Sequence, residues 1–585
     1  MDQRHALRTT DLLALTLALV LGLAWSLRDW PALRTLRLPD TDDVMRLQQV
    51  RDWLGGQAWR DLVQHRLAMG LPMHWSRVAD LGPALLIVVA TPLLGTHGAE
   101  VLAVVMCPIL LFACALVLVG RIAQRLDDGA ARTAIVVAAI AYPATTIFVP
   151  GRIDHHGLQL VLLLGATLAA ISRPTWRNGA IIGGLAATSL VVGMETMPFF
   201  GVLGTAALTT WAFAARQDGG RIVGIGVGTL AGLAIGVVGF AGLQWRYPAC
   251  DGFTLQAASG LAIMALVPLA VAPLGRWATT ARSRLAIAAV LSLAALAVAR
   301  RAAPSCTAPY GQVPPLLRRL WLDQVGEAQS VFAAPPAMAF GYLGVMLAGV
   351  AASVWMVRRT PGRNTAMILA LQCTAVAIAA VQLRGAYTGA MLGAPALAIM
   401  IGAARRRGPL PLVAAWGVSA GMLYPLLAQA VTSPVAAGLP SRAGAETASA
   451  CTSPAIIATL ARLPAGVVMA PIDVAPWGIA ATSHRFVAGP YHRNTAGNLA
   501  MYRFFYGGPT AAAVIAHRWD VRYVLYCDGD LGTVPAAPDS TAQRLATGRI
   551  PSWLKRLDGS RTMLFAVVRP PTDRAPDGPE RTETR

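Results

Sequence analysis

Carboxylate and imidazole side chains collect at two points of the chain, each at the border of an apolar stretch. The segment LPDTDDVMR holds three aspartates within four positions, Asp40, Asp42 and Asp43. Further along, the segment GRIDHHGLQ places Asp154 and His156 two positions apart. Because residues two apart face the same side of an extended turn, we expect Asp154 and His156 to face one point and His155 to point away. Carboxylate and imidazole groups together suit a divalent cation such as Mn²⁺ or Mg²⁺.

Structural roles account for the same residues without any chemistry. Asp40 or Thr41 can cap a helix that Gly55–Gly56 would end, and the two aspartates that follow would face the positive end of its dipole. The DHH segment can likewise be a cap at the membrane surface, with its histidines among lipid headgroups. Glu327, in the segment VGEAQSV, is by itself more typical of a solvated side chain. The residues alone leave the structural and the metal-binding interpretations open.

Three arginines are candidates for binding phosphate: Arg77, Arg152 and Arg384. Arg152 lies two residues before Asp154, and Arg384 lies between two apolar runs in AVQLRGAYTG. A guanidinium group binds phosphate oxygens in a bidentate manner. Arginines near a membrane surface also extend harmlessly toward the headgroups. We therefore expect these arginines to matter if the substrate is a lipid phosphate.

The elements that position these residues are set by the composition. The 585 residues are 55% hydrophobic and 13% charged, whereas soluble globular proteins carry about 25% charged residues. A soluble enzyme is therefore excluded. The net charge of +20 lies largely in short arginine clusters between apolar runs, such as RRTPGRN and ARRRG. This placement follows the positive-inside rule, so the expected surroundings are membrane lipids and no nucleic-acid partner is expected.

Stretches of about 17–25 apolar residues can cross a bilayer as helices. The sequence holds thirteen, near 12–27, 100–119, 133–149, 157–172, 179–194, 196–213, 222–244, 259–275, 284–299, 339–357, 365–382, 387–403 and 410–430. The shorter run 81–94 contains two prolines, and we expect it to be half-buried or re-entrant. Counting it as a span would place every arginine-rich loop outside, against the positive-inside rule.

Thirteen spans with a cytoplasmic N-terminus leave most polar segments outside. These are the loop 28–81, the turn 150–156, the loop 300–338 and the region after 432. We expect a helical polytopic membrane domain over 1–431 and a small α/β domain over 432–569, with β-rich runs such as GVVMAPI and VRYVLYC. The tail 570–585 is rich in proline and charge and is expected to be disordered.

The cysteines fit an oxidising outer side. Cys250 and Cys306 lie in two outside loops, and Cys451 and Cys527 lie in the C-terminal domain. Two disulfides, Cys250–Cys306 and Cys451–Cys527, are therefore expected.

The order of these motifs resembles the catalytic subunit of oligosaccharyltransferase, a GT-C membrane glycosyltransferase. The acidic first loop DTDDVMR, the DHH after the third span, VGEAQSV in a late outer loop and LRGAYTGAMLGAP carry the resemblance over residues 1 to 430. It implies thirteen spans and an extracytoplasmic C-terminal domain. It also implies Arg384 on the donor phosphate. The metal ligands that it implies are Asp40, Asp154, His156 and Glu327. In the family the first-loop aspartate stands six residues before an arginine, which selects Asp40 before Arg46, although Asp42 and Asp43 compete as metal ligands. The candidate catalytic carboxylates are Asp40, Asp42, Asp43, Asp154 and Glu327.

The resemblance implies transfer of a sugar from a polyprenyl-(pyro)phosphate donor, on the periplasmic face of a bacterial inner membrane, with Mn²⁺ or Mg²⁺ as cofactor. The family reads its asparagine acceptor with a WWD motif, which this sequence lacks, so protein, lipid and polysaccharide acceptors stay open. One alternative is a transferase that uses a polyprenyl-monophosphate sugar to modify lipid A, polysaccharide or protein hydroxyls. Another is a transporter or flippase of lipid-linked glycans, although transporters place polar sites near the midplane of the bilayer.

Overall fold

A computed structural model of the chain describes residues 3–275, 277–304, 306, 313–432, 450–527, 529–531, 536–557 and 564–568. These residues form two compact units. The first unit comprises the described residues of Met1–Val63, Pro72–Val313 and Trp321–Ala443, and the second those of Gln64–Leu71, Pro314–Leu320 and Gly444–Arg585. The predicted boundary at residue 432 differs from this division, because it assigns two short segments of the second unit, Gln64–Leu71 and Pro314–Leu320, to the membrane domain. The predicted disordered tail lies outside the described residues.

The first unit is mainly helical, and the short segment Pro315–Leu320 of the second unit is also a helix, α11. In chain order they are α1 (Gln3–Leu33), α2 (Thr41–Leu54), α3 (Leu81–Leu126), α4 (Ala131–Ala139), α5 (His156–Ile171), α6 (Trp176–Val192), α7 (Met197–Phe213), α8 (Ala215–Phe240), α9 (Leu255–Leu274), α10 (Ala281–Ala302), α11 (Pro315–Leu320), α12 (Pro336–Arg359), α13 (Arg363–Val381), α14 (Gly385–Arg405), α15 (Pro409–Ser419) and α16 (Leu423–Thr432). Short 3₁₀ segments cover Ala144–Phe148, Leu322–Gln324 and Gly326–Ala328.

The chain is a multi-pass membrane protein. Among the described residues, eight helices are long and apolar enough to cross a membrane, namely α1, α3, α8, α9, α10, α12, α13 and α14. The pair α15 and α16, bent by 80°, makes a ninth if it is one span. Each of the thirteen predicted spans contains helix. The count of thirteen crossings itself stays a prediction.

Two of the predicted apolar stretches contain breaks in the helix that hydropathy does not predict. The apolar run 81–94 is the first part of α3, and it joins the rest of that helix at Gly95, whose φ of 68° is not helical. Glycine is suited to this break because it adopts positive φ at little cost. The predicted span 133–149 ends its helix at Ala139 and continues as a 3₁₀ segment after Pro143.

Helices α6 and α8 pack with their backbones in close contact. Glycines recur every four residues on α8, at positions 220, 224, 228, 232 and 236. A Cβ atom on Gly224 would overlap the carbonyl oxygen of Trp176, and one on Gly228 would overlap that of Ala180. Small residues at such spacing let membrane helices approach closely.

The second unit has the predicted α/β character. Its remaining helices are α17 (Pro454–Ala461), α18 (Val474–Ala481), α19 (Thr495–Tyr506), α20 (Pro509–Arg518) and α21 (Thr541–Ala546). Its sheet has the order β4 (Arg485–Phe486), β3 (Val467–Met469), β5 (Val521–Leu525), β7 (Leu564–Val567), β6 (Leu554–Arg556). The strand β3 runs parallel to β4 and β5, while β7 runs antiparallel to β5 and β6. The two-residue strands β1 (Val63–Gln64) and β2 (Leu71–Pro72) lie where the chain passes between the units.

Both expected cysteine pairs are brought together. The structure joins Cys250 to Cys306 with their Cα atoms 5.0 Å apart, and Cys451 to Cys527 with their Cα atoms 5.7 Å apart. Each disulfide lies within one unit.

Candidate active site

The first-loop aspartates lie in the first turn of α2. Asp40 caps this helix, as expected from the sequence, because its Oδ1 accepts the backbone N–H of Asp42 at 3.1 Å. Residues three apart share one side of a helix, and Asp40 and Asp43 both contact Arg152. The guanidinium donates to Asp40 Oδ2 at 2.6 Å, and its Nε lies 3.3 Å from Asp43 Oδ2. Arg152 is thus the counter-ion of the first loop.

The DHH segment begins α5. His155 has helical φ and ψ of −74° and −14°, so the turn is not extended and the prediction that His155 points away is wrong. Its Nδ1 lies 2.6 Å from Asp154 Oδ1, and its Nε2 lies 2.9 Å from Glu195 Oε1. His156 Nε2 lies 3.3 Å from the other oxygen of Asp154, Oδ2. Both histidines therefore contact the same carboxylate.

Buried polar contacts hold Asp154 against α2. Its backbone N–H donates to Asp43 Oδ1 at 2.9 Å. The fully buried Arg46 lies 3.3 Å from Asp154 Oδ1 and 3.2 Å from Asp80 Oδ1, and its guanidinium covers the ring of Trp75 at 4.3 Å. A buried arginine needs such partners because burial of an unpaired charge is very costly. Sequence reasoning used Arg46 only for its spacing and missed this contact.

Arg77, which the sequence proposes as a phosphate ligand, instead pairs with Asp80 and with backbone carbonyls. Its side chain is 1% exposed, and its guanidinium donates to Asp80 Oδ2 at 3.2 Å and to the carbonyl oxygens of Gln49 and Asp61 at 3.0 and 2.8 Å. These contacts occupy the guanidinium in supporting α2. We therefore assign Arg77 a structural role.

Glu327 connects the late outer loop to the start of α14, the most buried of the apolar helices. The backbone N–H of Arg384 donates to the Glu327 carbonyl at 3.2 Å. The side chains also meet, because Arg384 donates to Oε1 at 2.7 Å and the Tyr387 hydroxyl donates to Oε2 at 3.2 Å. Sequence reasoning missed Tyr387, but its position three residues after Arg384 on one helix was an available signal.

Electrostatic interactions link Asp42, Asp154 and Glu327, with the histidines and arginines beside them, into one charged group. Burial, followed by the charges of Asp40 and Asp154, raises the pKa of Asp42 well above its usual range. Burial would also raise the pKa of Asp154, but His155, His156 and Arg46 outweigh it and hold that pKa well below its usual range. For Glu327, burial is likewise outweighed, chiefly by Arg384, so that its pKa is lowered.

The residues of this group fit a divalent cation. Among the described residues, ligand atoms of Asp154, His155 and His156 lie within 4.8 Å of one another. Of the ligands that the resemblance implies, this set includes Asp154 and His156, whereas Asp40 and Glu327 pair with Arg152 and Arg384. Carboxylates with an imidazole are donors that Mn²⁺ and Mg²⁺ accept. Burial is the largest cause of the raised pKa of Asp42, and the charges of Asp40 and Asp154 add to it; a cation would relieve that repulsion.

The structure is similar to solved archaeal oligosaccharyltransferases. AglB from Archaeoglobus fulgidus, in complex with an inhibitory peptide and a dolichol-phosphate, is 14% identical with a TM-score of 0.60, over 88% of this chain and 69% of that chain. The A. fulgidus enzyme tethered with an acceptor peptide containing the NVT sequon gives the same values. Its complex with Zn and sulfate gives 14% identity and a TM-score of 0.54, over 92% of this chain and 74% of that chain. No protein-family model and no curated protein sequence matches the chain.

An identity of 14% speaks for the fold and not for the reaction. The similarity in fold nevertheless extends over 88% of this chain. The chain has the fold of the archaeal oligosaccharyltransferases.

Proposed function

We propose that this protein is a metal-dependent membrane glycosyltransferase that moves a sugar or oligosaccharide from a polyprenyl-phosphate or polyprenyl-pyrophosphate donor to an acceptor. The observation that carries the proposal is the charged group on the GT-C fold. It combines crowded carboxylates, an imidazole and a guanidinium at the ends of separate helices: Asp42, Asp154, His156, Glu327 and Arg384.

Departure of the donor lipid is the step that needs positive charge. As the bond between the anomeric carbon and the phosphate oxygen breaks, negative charge builds on the departing phosphate. A bound divalent cation supplies Lewis-acid stabilisation of that charge. Arg384 binds the same phosphate through its planar guanidinium, and Glu327 and the capping position at the start of α14 hold that guanidinium in place.

The acceptor loses a proton during the same transfer. Asp40 and Asp43 are both engaged by Arg152. We therefore assign proton acceptance to the third carboxylate of the first loop, Asp42.

The neighbouring structures support the substrate classes. The archaeal enzymes are seen with a dolichol-phosphate, with an acceptor peptide and with Zn. We accordingly infer that the donor site of this chain binds a lipid phosphate and that its cation binds in the group around Asp154. The arginine-rich loops support a cytoplasmic position for those loops and hence a site on the opposite face, which in the bacterial inner membrane that we propose is the periplasmic face.

The missing WWD motif favours a second candidate function. A transferase that uses a polyprenyl-monophosphate sugar, and modifies lipid A, polysaccharide or protein hydroxyls, needs no reader for an asparagine sequence. Its chemistry at the phosphate is the same, but its acceptor and its donor differ.

Mass spectrometry of glycoproteins and envelope glycans, from cells with and without this protein, tests the proposal. We expect one class of glycosylated product to disappear and its lipid-linked donor to accumulate. The class that disappears identifies the acceptor and separates the two candidates. Loss of the same glycans with the lipid-linked sugar trapped on the cytoplasmic face would instead indicate a flippase, and unchanged glycans would contradict the proposal.

A further inference from the structure

Glu195 lies outside every motif that points to the transferase. It occupies the turn between α6 and α7, in the segment GMETM. Its two oxygens have separate partners, since Oε1 lies 2.9 Å from His155 Nε2 and Oε2 accepts from Gln159 Nε2 at 2.6 Å. The side chain of Gln159 is itself buried on α5, so the Glu195 carboxylate is held in one orientation.

The contacts of Glu195 continue through His155 to Asp154. His155 is buried, and its second ring nitrogen, Nδ1, lies 2.6 Å from Asp154 Oδ1. Both nitrogens of the ring are thus engaged between two carboxylates. Neither is left to bind a cation, even though His155 lies beside the proposed ligands.

The two oxygens of Asp154 are used differently. Oδ1 receives His155 and also lies 3.3 Å from the guanidinium of Arg46. Oδ2 lies 3.3 Å from Nε2 of His156. The contacts with His155 and Arg46 therefore fall on Oδ1, whereas Oδ2 is paired with His156, the imidazole that we assign to the cation.

We propose that Glu195 and His155 are positioning residues that orient Asp154, so that its Oδ2 and His156 face the divalent cation together. This inference rests on the proposed metal-dependent function. Partners that orient metal ligands through hydrogen bonds commonly change metal affinity about 10- to 100-fold when they are removed. Glu195 would then control cation binding without contacting the cation.

Binding of Mn²⁺ to the purified full-length protein, followed by electron paramagnetic resonance, measures this effect separately from activity. We expect Glu195→Ala to weaken Mn²⁺ binding about 10- to 100-fold. Glu195→Gln should restore most of the affinity, because its amide oxygen can still accept from His155 Nε2–H. Transfer by Glu195→Ala should also recover when Mn²⁺ is raised, which a general loss of folding would not allow.

Asp218→Ala is the matched control. Asp218 is a buried carboxylate of the same helical unit, and it pairs with Arg221 on α8 and with Arg363. Its loss should lower thermal stability and leave Mn²⁺ affinity unchanged. Wild-type affinity in Glu195→Ala, or equal weakening in Asp218→Ala, would overturn the positioning role. Wild-type protein that binds no Mn²⁺ and still transfers sugar would overturn the metal-dependent function, and the positioning role with it.

Discussion

Glu327 is the residue through which the late outer loop reaches the rest of the charged group. Its carboxylate holds both Arg384 and Tyr387, so the amide in Glu327→Gln would weaken the guanidinium contact and remove a negative charge. We expect transfer to fall by on the order of 10²-fold or more. Initial rates with a lipid-linked donor would measure this loss.

Asp323→Asn is the matched control for that change. Asp323 is an exposed acid four residues earlier in the same loop. We expect near wild-type transfer from this variant. Equal losses in both variants would mean that the loop tolerates no change, and would remove the specific role of Glu327.

At the residue scale, the sequence predicted the acids better than their partners. Asp40 could be predicted as a helix cap because that choice depends on local spacing alone. The orientation of His155 could not, because it depends on Glu195, which is 40 residues away. The pairing of Arg46 with Asp154 spans 108 residues and depends in the same way on the tertiary fold.

Among the elements, the contact between α6 and α8 depends on the absence of side chains. We expect Gly228→Ala to destabilise the protein by about 1–3 kcal/mol, because the new methyl group meets the backbone of Ala180. Gly239→Ala on the same helix meets nothing within 4 Å and should be neutral or slightly stabilising. Thermal unfolding in detergent compares the two. A lower Tm for Gly239→Ala than for Gly228→Ala would contradict the close packing.

The disulfides make a second prediction for the elements. Of the 7 cysteines, Cys107, Cys114 and Cys373 are free. Denatured, unreduced protein should therefore take up three alkyl groups, and reduced protein seven. Intact mass spectrometry counts them, and peptide mapping locates them. Labelling of Cys306 or Cys451 before reduction would rule out the corresponding pair.

Helix positions could be predicted from apolar runs, but their breaks could not. Hydropathy is continuous over 133–149, whereas the helix ends at Ala139 and Pro143 follows. Proline lacks the N–H that a helix interior needs, yet α9 and α14 contain prolines without ending there. Packing against neighbouring helices decides between these outcomes, and a single run of sequence does not carry that information.

The sidedness of the whole molecule is predicted by its arginines. With thirteen crossings, a reporter fused after Gly408 should lie in the cytoplasm, and one fused after Leu439 in the periplasm. Fusions with alkaline phosphatase and green fluorescent protein distinguish the two compartments. Both fusions on one side would refute thirteen spans.

At this scale the fold could be predicted from motif order, although no family model matches the sequence. Many sequences satisfy the same apolar lengths and loop charges, so identity falls to 14% while the architecture persists. Short segments such as DHH carry the resemblance to the family, because they combine charged residue types at fixed spacing beside apolar runs. The acceptor could not be predicted, because the segment that would identify it in the family, WWD, is absent.

Sugar transfer by the purified, lipid-reconstituted protein, before and after chelation, tests metal-dependent transfer most directly. We expect excess chelator to abolish transfer, added Mn²⁺ or Mg²⁺ to restore it, and Asp154→Ala to stay inactive throughout while remaining folded. Undiminished transfer by the wild-type protein in excess chelator would contradict metal-dependent transfer.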